Sequence, residues 1–225
     1  MPPLPHPSET VRNRVILLLL TLAAVVGNPR AARAQEPPPL PRVVVDLHGA
    51  VAGFPNTELL ALSRGLVLAE LPGRAFGGDL GVHVYPFRFR AITFGFGGRL
   101  ASLRARQSAG TQAAGSVRGV TERFTYLGPQ LSFNFGTGAG WSYLSGGIAG
   151  STWSVVPDGR APLPPDEERL KTIDYGGGAR WFARPHLAFS VDVRFYAVNP
   201  SSPAAGLPGG PRTTLFVVGA GVSLK

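Results

Sequence analysis

Two of the histidines follow an aspartate at short spacing, a pattern that can supply a general base and the carboxylate that orients it. His48 comes two residues after Asp46, and His83 comes four residues after Asp79. On a strand, residues two or four apart share a face, but this spacing alone does not bring them within hydrogen-bond reach. Neither histidine is followed at the second position by a serine that could act as a nucleophile. We therefore predict no catalytic residue.

Other ligand chemistry is sparse. The chain has no cysteine, which excludes disulfides, thiolate metal sites and cysteine nucleophiles. His48 and His83 lack a third residue at a spacing typical of a metal site. The Gly-rich runs are not followed by a predicted helix, so they are poor candidates for phosphate-binding loops. We expect neither a metal nor a cofactor.

The most regular stretch of the chain is 171–196. Its charged residues alternate with apolar residues with a period of two. Apolar residues occupy every second position of its second half: Leu187, Phe189, Val191, Val193 and Phe195. Asp192 and Arg194 lie between them, and Asp174 and Arg180 fall on the polar side of the first half. The pattern predicts two antiparallel strands joined by a turn at 184–186. In a soluble sheet the polar face meets solvent, whereas in a membrane barrel it lines a narrow interior and the apolar face meets lipid.

The first 34 residues have the features of a secretory signal peptide. Arg12 and Arg14 precede an apolar run over 15–26, and Ala32-Arg33-Ala34 supplies the small residues of a cleavage site. A single transmembrane anchor is the alternative, but it needs about 20 apolar residues. We predict cleavage of 1–34, followed by an extended Pro-rich leader at 35–41 that leads into the folded domain.

The basic charge of the chain belongs partly to this segment. Removing it takes away four Arg and one Glu, which lowers the formal net charge from +9 to +6. The remaining Lys and Arg are spread singly, without the clusters and interleaved aromatics of a nucleic-acid surface. We expect no nucleic-acid partner.

Alternation of the same kind predicts eight strands, an even number with lengths that suit tilted crossings of a membrane. We place them at 42–54, 73–85, 91–104, 122–135, 141–155, 171–183, 187–198 and 212–225. The connections between them are alternately long and short: 55–72, 86–90, 105–121, 136–140, 156–169, 184–186 and 199–211. Short turns at one end and long loops at the other are typical of outer-membrane barrels.

Several local features are less regular. The segment 55–72 is consistent with a short helix or with extensions of the flanking strands, and the facing of 141–155 is left open. Pro129 cannot donate to a strand ladder, so we expect a bulge or a strand end there. The acidic run Asp166-Glu167-Glu168 is interpreted as a solvated loop face. Aromatic residues near the short turns are predicted to form a girdle: Phe87, Phe89, Phe135, Trp141, Trp181 and Phe182.

Three segments carry a resemblance to a known family: 141–147 (WSYLSGG), 175–182 (YGGGARWF) and 187–196 (LAFSVDVRFY). They resemble the small outer-membrane β-barrel domain family, which includes the OmpA- and OmpX-type transmembrane domains. The resemblance implies an all-β, eight-stranded antiparallel up-and-down transmembrane barrel over 42–225. It also implies a bacterial outer-membrane location, contact with outer-membrane lipids and insertion by the barrel-assembly machinery. One departure is Lys225, because such barrels usually end on an aromatic residue.

This fold assigns the two faces of each strand. A polar network is predicted inside the barrel, with acids paired to arginines across strands: Asp46, His48, Asp79, His83, Arg99, Gln130, Asp174, Arg180, Asp192 and Arg194. The lipid-facing residues are predicted to include Phe94, Phe96, Leu131, Phe133, Leu187, Phe189, Val191, Val193, Phe195, Phe216, Val218 and Val222.

We expect a structural or surface-interaction protein of a Gram-negative outer membrane that acts through its long loops. A narrow, porin-like channel or carrier for a small solute is the alternative, and interior glycines at 95, 97, 176 and 178 would favour it. A lipid-modifying enzyme is a third hypothesis. Nothing in the sequence identifies an extracellular partner.

Overall fold

The computed structural model describes residues 42–112, 115–137, 139–159, 161–163 and 166–225. The predicted signal peptide at 1–34 and leader at 35–41 lie outside the described residues. The described residues form ten strands: β1 Val43–Gly53, β2 Arg74–Phe89, β3 Ile92–Gln107, β4 Gly110–Gln112, β5 Gly115–Val117, β6 Val120–Thr137, β7 Gly140–Pro157, β8 Glu167–Arg184, β9 Leu187–Val198 and β10 Thr213–Leu224. An α-helix, α1, spans Glu58–Ser63, and a 3₁₀ turn spans Leu68–Glu70.

Eight of the strands form one closed antiparallel barrel. Each barrel strand pairs with its neighbour in the chain, and the first and last strands close the ring from Val45 opposite Leu224 to Gly53 opposite Phe216. The predicted all-β, eight-stranded up-and-down barrel is confirmed. Among the described residues, no helix has both the length and the apolar character to span a membrane.

The connections alternate in length as expected. The short ones, 90–91, 138–139 and 185–186, define the turn end of the barrel, and 54–73, 108–119, 158–166 and 199–212 define the loop end. The strands are longer at the loop end than predicted: β3 runs to Gln107, and β8 begins at Glu167. The outward residues of β3 and β8 near the loop end are polar, so the sequence there resembles a loop although the backbone still pairs with the adjacent strands. The hairpin of β4 and β5 occupies most of the connection 108–119.

The first long connection contains α1. The Thr57 side chain caps the helix by accepting a hydrogen bond from the Leu60 amide at 3.3 Å, which satisfies one of its free N–H groups. Leu60 and Ala61 are buried. The open choice at 55–72 is therefore resolved as a short helix followed by a 3₁₀ turn.

Pro129 does not produce the predicted bulge or strand end. The ladder between β6 and β7 pairs Leu127 with Gly150 and Leu131 with Gly146, in one constant register. The residues between these pairs are not part of the ladder, because Pro129 has no amide hydrogen to donate. The proline interrupts hydrogen bonding locally, and β6 continues through it.

The facing of β7, left open by the sequence, is settled. Tyr143 and Ser145 face the interior, and Leu144 and Ile148 face outward. Trp141 is also buried, and its ring packs against Phe182 with centroids 4.9 Å apart. The girdle prediction is thus wrong for these two aromatics, which plug the turn end from inside. Trp181, Phe87 and Phe89 are exposed on the outside.

The interior itself is divided along the barrel axis. Toward the loop end it is apolar and lies beneath α1, with a core that includes Phe54, Leu60, Leu103, Phe124, Trp153, Val155, Val198 and Leu215. The middle and the turn end hold buried charged and polar side chains. The apolar half was not predicted.

Candidate functional site

Strand alternation places one set of side chains from every strand inside the barrel. All ten residues of the predicted polar network lie there, none more than 6% exposed. They come from β1, β2, β3, β6, β8 and β9, so the network joins both halves of the chain. The twelve predicted lipid-facing residues lie on the opposite, outward face of their strands.

The network begins near the turn end with the ion pair between Asp46 and Arg180. The guanidinium donates from Nε to Oδ1 at 2.8 Å and from Nη2 to Oδ2 at 2.6 Å. The Ser223 hydroxyl donates to Oδ1 at 2.5 Å, and the Arg180 guanidinium also lies over the Tyr143 ring, 4.0 Å from its centroid. Two-point contact of this kind is the geometry that offsets the cost of burying both charges.

Asp192 is the centre of the middle section. It accepts hydrogen bonds from Arg99 Nη1 at 2.9 Å, from Arg194 Nη2 at 3.0 Å and from the Tyr143 hydroxyl at 2.6 Å. Arg99 Nη1 also lies 3.2 Å from Asp79 Oδ1. One carboxylate is thus held by two guanidiniums, and each of these also reaches a second carboxylate, Arg99 that of Asp79 and Arg194 that of Asp174.

Asp174 joins this section to the apolar half. It accepts a hydrogen bond from Arg194 Nη1 at 3.0 Å and short ones from the Tyr126 hydroxyl and the Gln130 amide. The Gln130 carbonyl in turn lies 3.0 Å from His83 Nε2. The polar side chains therefore form one connected network from the turn end to the base of the apolar half.

The two histidines are not paired with the aspartates that precede them in sequence. His48 Nδ1 lies 3.3 Å from Asp79 Oδ1, and His83 Nδ1 lies 3.8 Å from Asp46 Oδ2. Each histidine thus faces an aspartate of the neighbouring strand. His48 lies directly opposite Asp79 in the ladder between β1 and β2, and His83 lies diagonally across from Asp46, which is opposite Gly81.

Contacts across strands also place a serine beside His48. Its Nε2 lies 2.8 Å from Ser190 Oγ, so Ser190, His48 and Asp79 stand in the order of a nucleophile, a base and an orienting carboxylate. All three are buried, and Asp79 is shared with Arg99. An acyl substrate has no access to Ser190 while the interior is packed in this way.

Several members of the network were missed by the sequence. Tyr126, Tyr143, Ser145, Ser190 and Ser223 all bond to its charged or imidazole groups. Strand parity was the available signal for Tyr126 and Ser190, which lie an even number of residues from a predicted member on the same strand, and for Ser223, which alternates with the predicted lipid-facing Val222. Tyr143 and Ser145 lie on the strand whose facing was open.

Interior glycines make room for this network. A side chain at Gly95 would collide with the Tyr85 ring, and one at Gly178 would lie 2.7 Å from the Tyr143 hydroxyl. These glycines therefore accommodate tyrosines inside the barrel, and the space beside them is filled.

The loop end is closed by α1 and two ion pairs. Arg64 Nη2 lies 2.5 Å from Glu168 Oε2, and Arg118 Nε donates to Glu70 Oε1 at 2.8 Å. The prediction that the acidic run is solvated is wrong for Asp166, which is buried, and for Glu168, which is half-buried and ion-paired, whereas Glu167 is exposed. The hydrogen bonds from Arg118 hold the pKa of Glu70 down at about 2, and the same contact raises the pKa of Arg118. The first long connection, 54–73, is thus held to the connection 108–119 and to β8.

The outer wall carries a groove where Pro129 interrupts the ladder. Its volume is about 680 Å³, and its lining includes Phe96, Leu131, Ile148, Ile173 and Tyr175, with Gln130 and Asp174 of the interior network. This is a place where the apolar outer face comes close to buried polar groups.

A closed eight-stranded antiparallel barrel with a polar interior and an apolar outer face defines the class of small transmembrane β-barrels. Solved structures of such barrels are similar to this chain. The Neisserial surface protein A is 14% identical over 82% of this chain and 97% of its own, with a TM-score of 0.47. Ail of Yersinia pestis, in complex with the heparin analogue sucrose octasulfate, is 12% identical over 81% and 97%, with a TM-score of 0.45.

The outer membrane protein AlkL in DMPC bilayers is 13% identical over 81% of this chain and 88% of its own, with a TM-score of 0.36. No family model and no curated protein matches the chain. At these identities and scores, no ligand or residue role is transferred to this protein.

The ion pair between Asp46 and Arg180 gives a stability prediction. Arg180→Met leaves a buried carboxylate without its guanidinium, so the free energy of unfolding should fall by about 3–5 kcal/mol. Asp46→Asn in the same chain should recover part of the loss, because no buried charge is then unpaired. Urea unfolding in micelles measures both, and Arg88→Met at the exposed turn end is the control, with a change within about 0.5 kcal/mol. Equal stability of the Arg180 and Arg88 variants would refute this account.

The contact between Glu70 and Arg118 gives a pH prediction. The folded-state pKa of Glu70 lies below its ordinary 4.5, so the contact stabilises the first connection above pH 4.5 and is lost as the pH falls toward 2. Hydrogen exchange of 58–71, corrected for intrinsic rates, should show lower protection at pH 2.5 than at pH 5. Glu70→Gln should remove most of this difference; an unchanged pH step in that variant would contradict the assignment.

Proposed function

We propose that this protein resides in the outer membrane of a Gram-negative bacterium, with the turn end in the periplasm and the loop end outside. The apolar outward face of the barrel supports this proposal, since large exposed apolar residues recur on all eight barrel strands. The predicted signal peptide supplies export, and the barrel-assembly machinery inserts the chain. Outer-membrane lipids are its immediate partners.

We propose further that it acts as a closed barrel with a structural or surface-interaction role. The observation that carries this is the filled interior, in which the ion-paired network and the apolar plug beneath α1 leave the loops as the interacting part. The first connection exposes apolar side chains to solvent, notably Leu59 at 66% and Leu62 at 56%. Exposed apolar residues of this kind favour contact with another macromolecule.

Catalysis is not part of this proposal. Ser190, His48 and Asp79 have the order of a catalytic triad, but their role here is to connect the strands through buried hydrogen bonds. The enzyme hypothesis would require the interior to open enough to admit lipid.

The orientation can be tested because the chain contains no cysteine. Leu59→Cys at the loop end should react with a membrane-impermeant maleimide on intact cells. Arg88→Cys at the turn end should react only after the outer membrane is broken. Labelling of both positions on intact cells, or of neither after lysis, would contradict the proposed location and orientation. Heat-modifiable gel migration of each variant serves as the control for folding.

A carrier for a small apolar solute is the second candidate. The groove at Pro129 favours it, because it opens toward the lipid-facing side and is lined in part by network residues. A solute held there would lie between the membrane and the interior. The filled lumen argues for the closed barrel, so we place the carrier second.

The two candidates differ in transport. For the closed barrel we expect no single-channel steps in planar bilayers and no protein-dependent uptake of a small apolar solute by cells. For a carrier, uptake should depend on the protein and fall when Ile148→Trp fills the groove. Val193→Trp, on the outward face of β9 and outside the groove, is the matched control. Steady conductance or groove-dependent uptake would reject the closed barrel.

A further inference from the structure

The outward face of the barrel changes from apolar to basic near the loop end on four strands. On β2, Phe76 gives way to Arg74. On β3, Leu100 is followed on the same face by Ser102, Arg104 and Arg106; on β6, Leu127 is followed toward the loop end by Thr125 and Arg123. On β8, Ile173 gives way to Lys171 and Arg169. We call Arg104, Arg106, Arg123, Arg169 and Lys171 the basic face. All five side chains are exposed.

Two of these cations are direct cross-strand partners. Arg104 lies opposite Arg123 in the ladder between β3 and β6. Directly opposed residues have Cβ atoms about 4.5–5.5 Å apart, and like charges in this position are destabilising. Within the described ranges, neither arginine has a side-chain hydrogen bond or an ion pair, whereas Arg106 pairs with Asp158 at 3.0 Å. A multivalent anion between Arg104 and Arg123 would offset their repulsion.

The basic face is confined to one side of the barrel. The outward positions of β9, β10 and β1 carry no charged residue. Asp158 and Glu167 are the nearby acids, so five cations against two carboxylates leave three positive charges in excess. An anionic partner is therefore favoured on this side alone.

The cations also lie at the level of a membrane surface. Arg104 is four residues beyond Leu100, which is about 13 Å along the strand and about 10 Å in height at a typical strand tilt. Lipid headgroups occupy roughly the 5–8 Å beyond the hydrocarbon core, and the arginine side chain is long enough to reach back toward them. Because the basic face continues the lipid-facing columns, its guanidiniums point at lipid headgroups more directly than at a soluble polymer above the loops.

We propose that the basic face binds the phosphate groups of the phosphorylated glycolipid of the outer leaflet, with Arg104 and Arg123 sharing one phosphate. Guanidinium groups bind phosphate oxygens in two-point contacts, which suits a pair of arginines held side by side on adjacent strands. This inference rests on the proposed outer-membrane location and names the lipid that the barrel would hold there.

The test uses the full chain folded in micelles and titrated with bis-phosphorylated lipid A, with binding followed by native mass spectrometry. The variant Arg104→Gln/Arg123→Gln should bind about 25-fold more weakly, because each of the two basic residues removed contributes about fivefold near an anionic lipid surface. The matched control is Arg88→Gln/Arg90→Gln at the turn end, which removes the same charge and should bind like the unmodified chain. Dephosphorylated lipid A should bind weakly to all three proteins.

Equal binding by the basic-face variant and its control, or equal binding of the dephosphorylated lipid, would overturn the proposal. So would full displacement by inorganic pyrophosphate, which would mean a phosphate site without lipid, or a preference for a sulfated polysaccharide over lipid A. If the first variant fails to fold, Arg169→Gln/Lys171→Gln tests the same face. Micelle binding does not depend on cellular location, so a failure here is distinct from a failure of the cysteine labelling on cells.

Discussion

Most of this structure depends on one constraint, which is that a charged side chain inside a narrow barrel must be paired or pay a large desolvation cost. Four buried aspartates and three buried arginines meet this constraint together. Asp192 contacts two guanidiniums, and Arg194 bridges Asp192 and Asp174. Apart from Arg194 and Asp192, which lie two residues apart on one strand, the ion-paired partners are 20 to 134 residues apart in sequence, so the network requires several strands to be in register at once. The polar network therefore fills the barrel and also requires the strand register that closes it.

The sequence showed which residues face the interior, but it did not show which of them contact each other. Asp46, Arg180 and Asp192 each lie in an unbroken alternation, so their side of the sheet followed from a period of two. Which of them touch depends on the stagger between strands and on contacts across the lumen, and neither leaves a local signal. His48 shows the difference, because its sequence neighbour Asp46 shares its face while Asp79, directly opposite on the next strand, is its partner.

The strand ends and the apolar half of the interior at the loop end were not predicted from the sequence, for a different reason. Near Gln107 and Glu167 the outward residues turn polar while the backbone ladder continues, so composition suggested loops where strands persist. The apolar half of the interior was hidden because Phe124 and Trp153 occupy positions that a polar lumen would give to small or charged residues. Burial beneath α1 explains them, and a helix of six residues is too short to be distinguished from an apolar strand by periodicity alone.

The two halves of the interior also differ in the side chains that fill them. Toward the turn end the interior is filled by ion-paired and hydrogen-bonded side chains, such as Asp46 with Arg180 and Ser223. The layer around Phe124, Trp153 and Tyr196 is mainly aromatic, and its rings pack edge to face with centroids 5.2 to 6.4 Å apart. The Trp153 indole N–H donates to the buried Glu122 carboxyl at 2.8 Å. Placing this layer under α1 puts the seal at the end with long connections, while Trp141 and Phe182 narrow the other end. The connections can therefore vary in sequence without exposing the charged network.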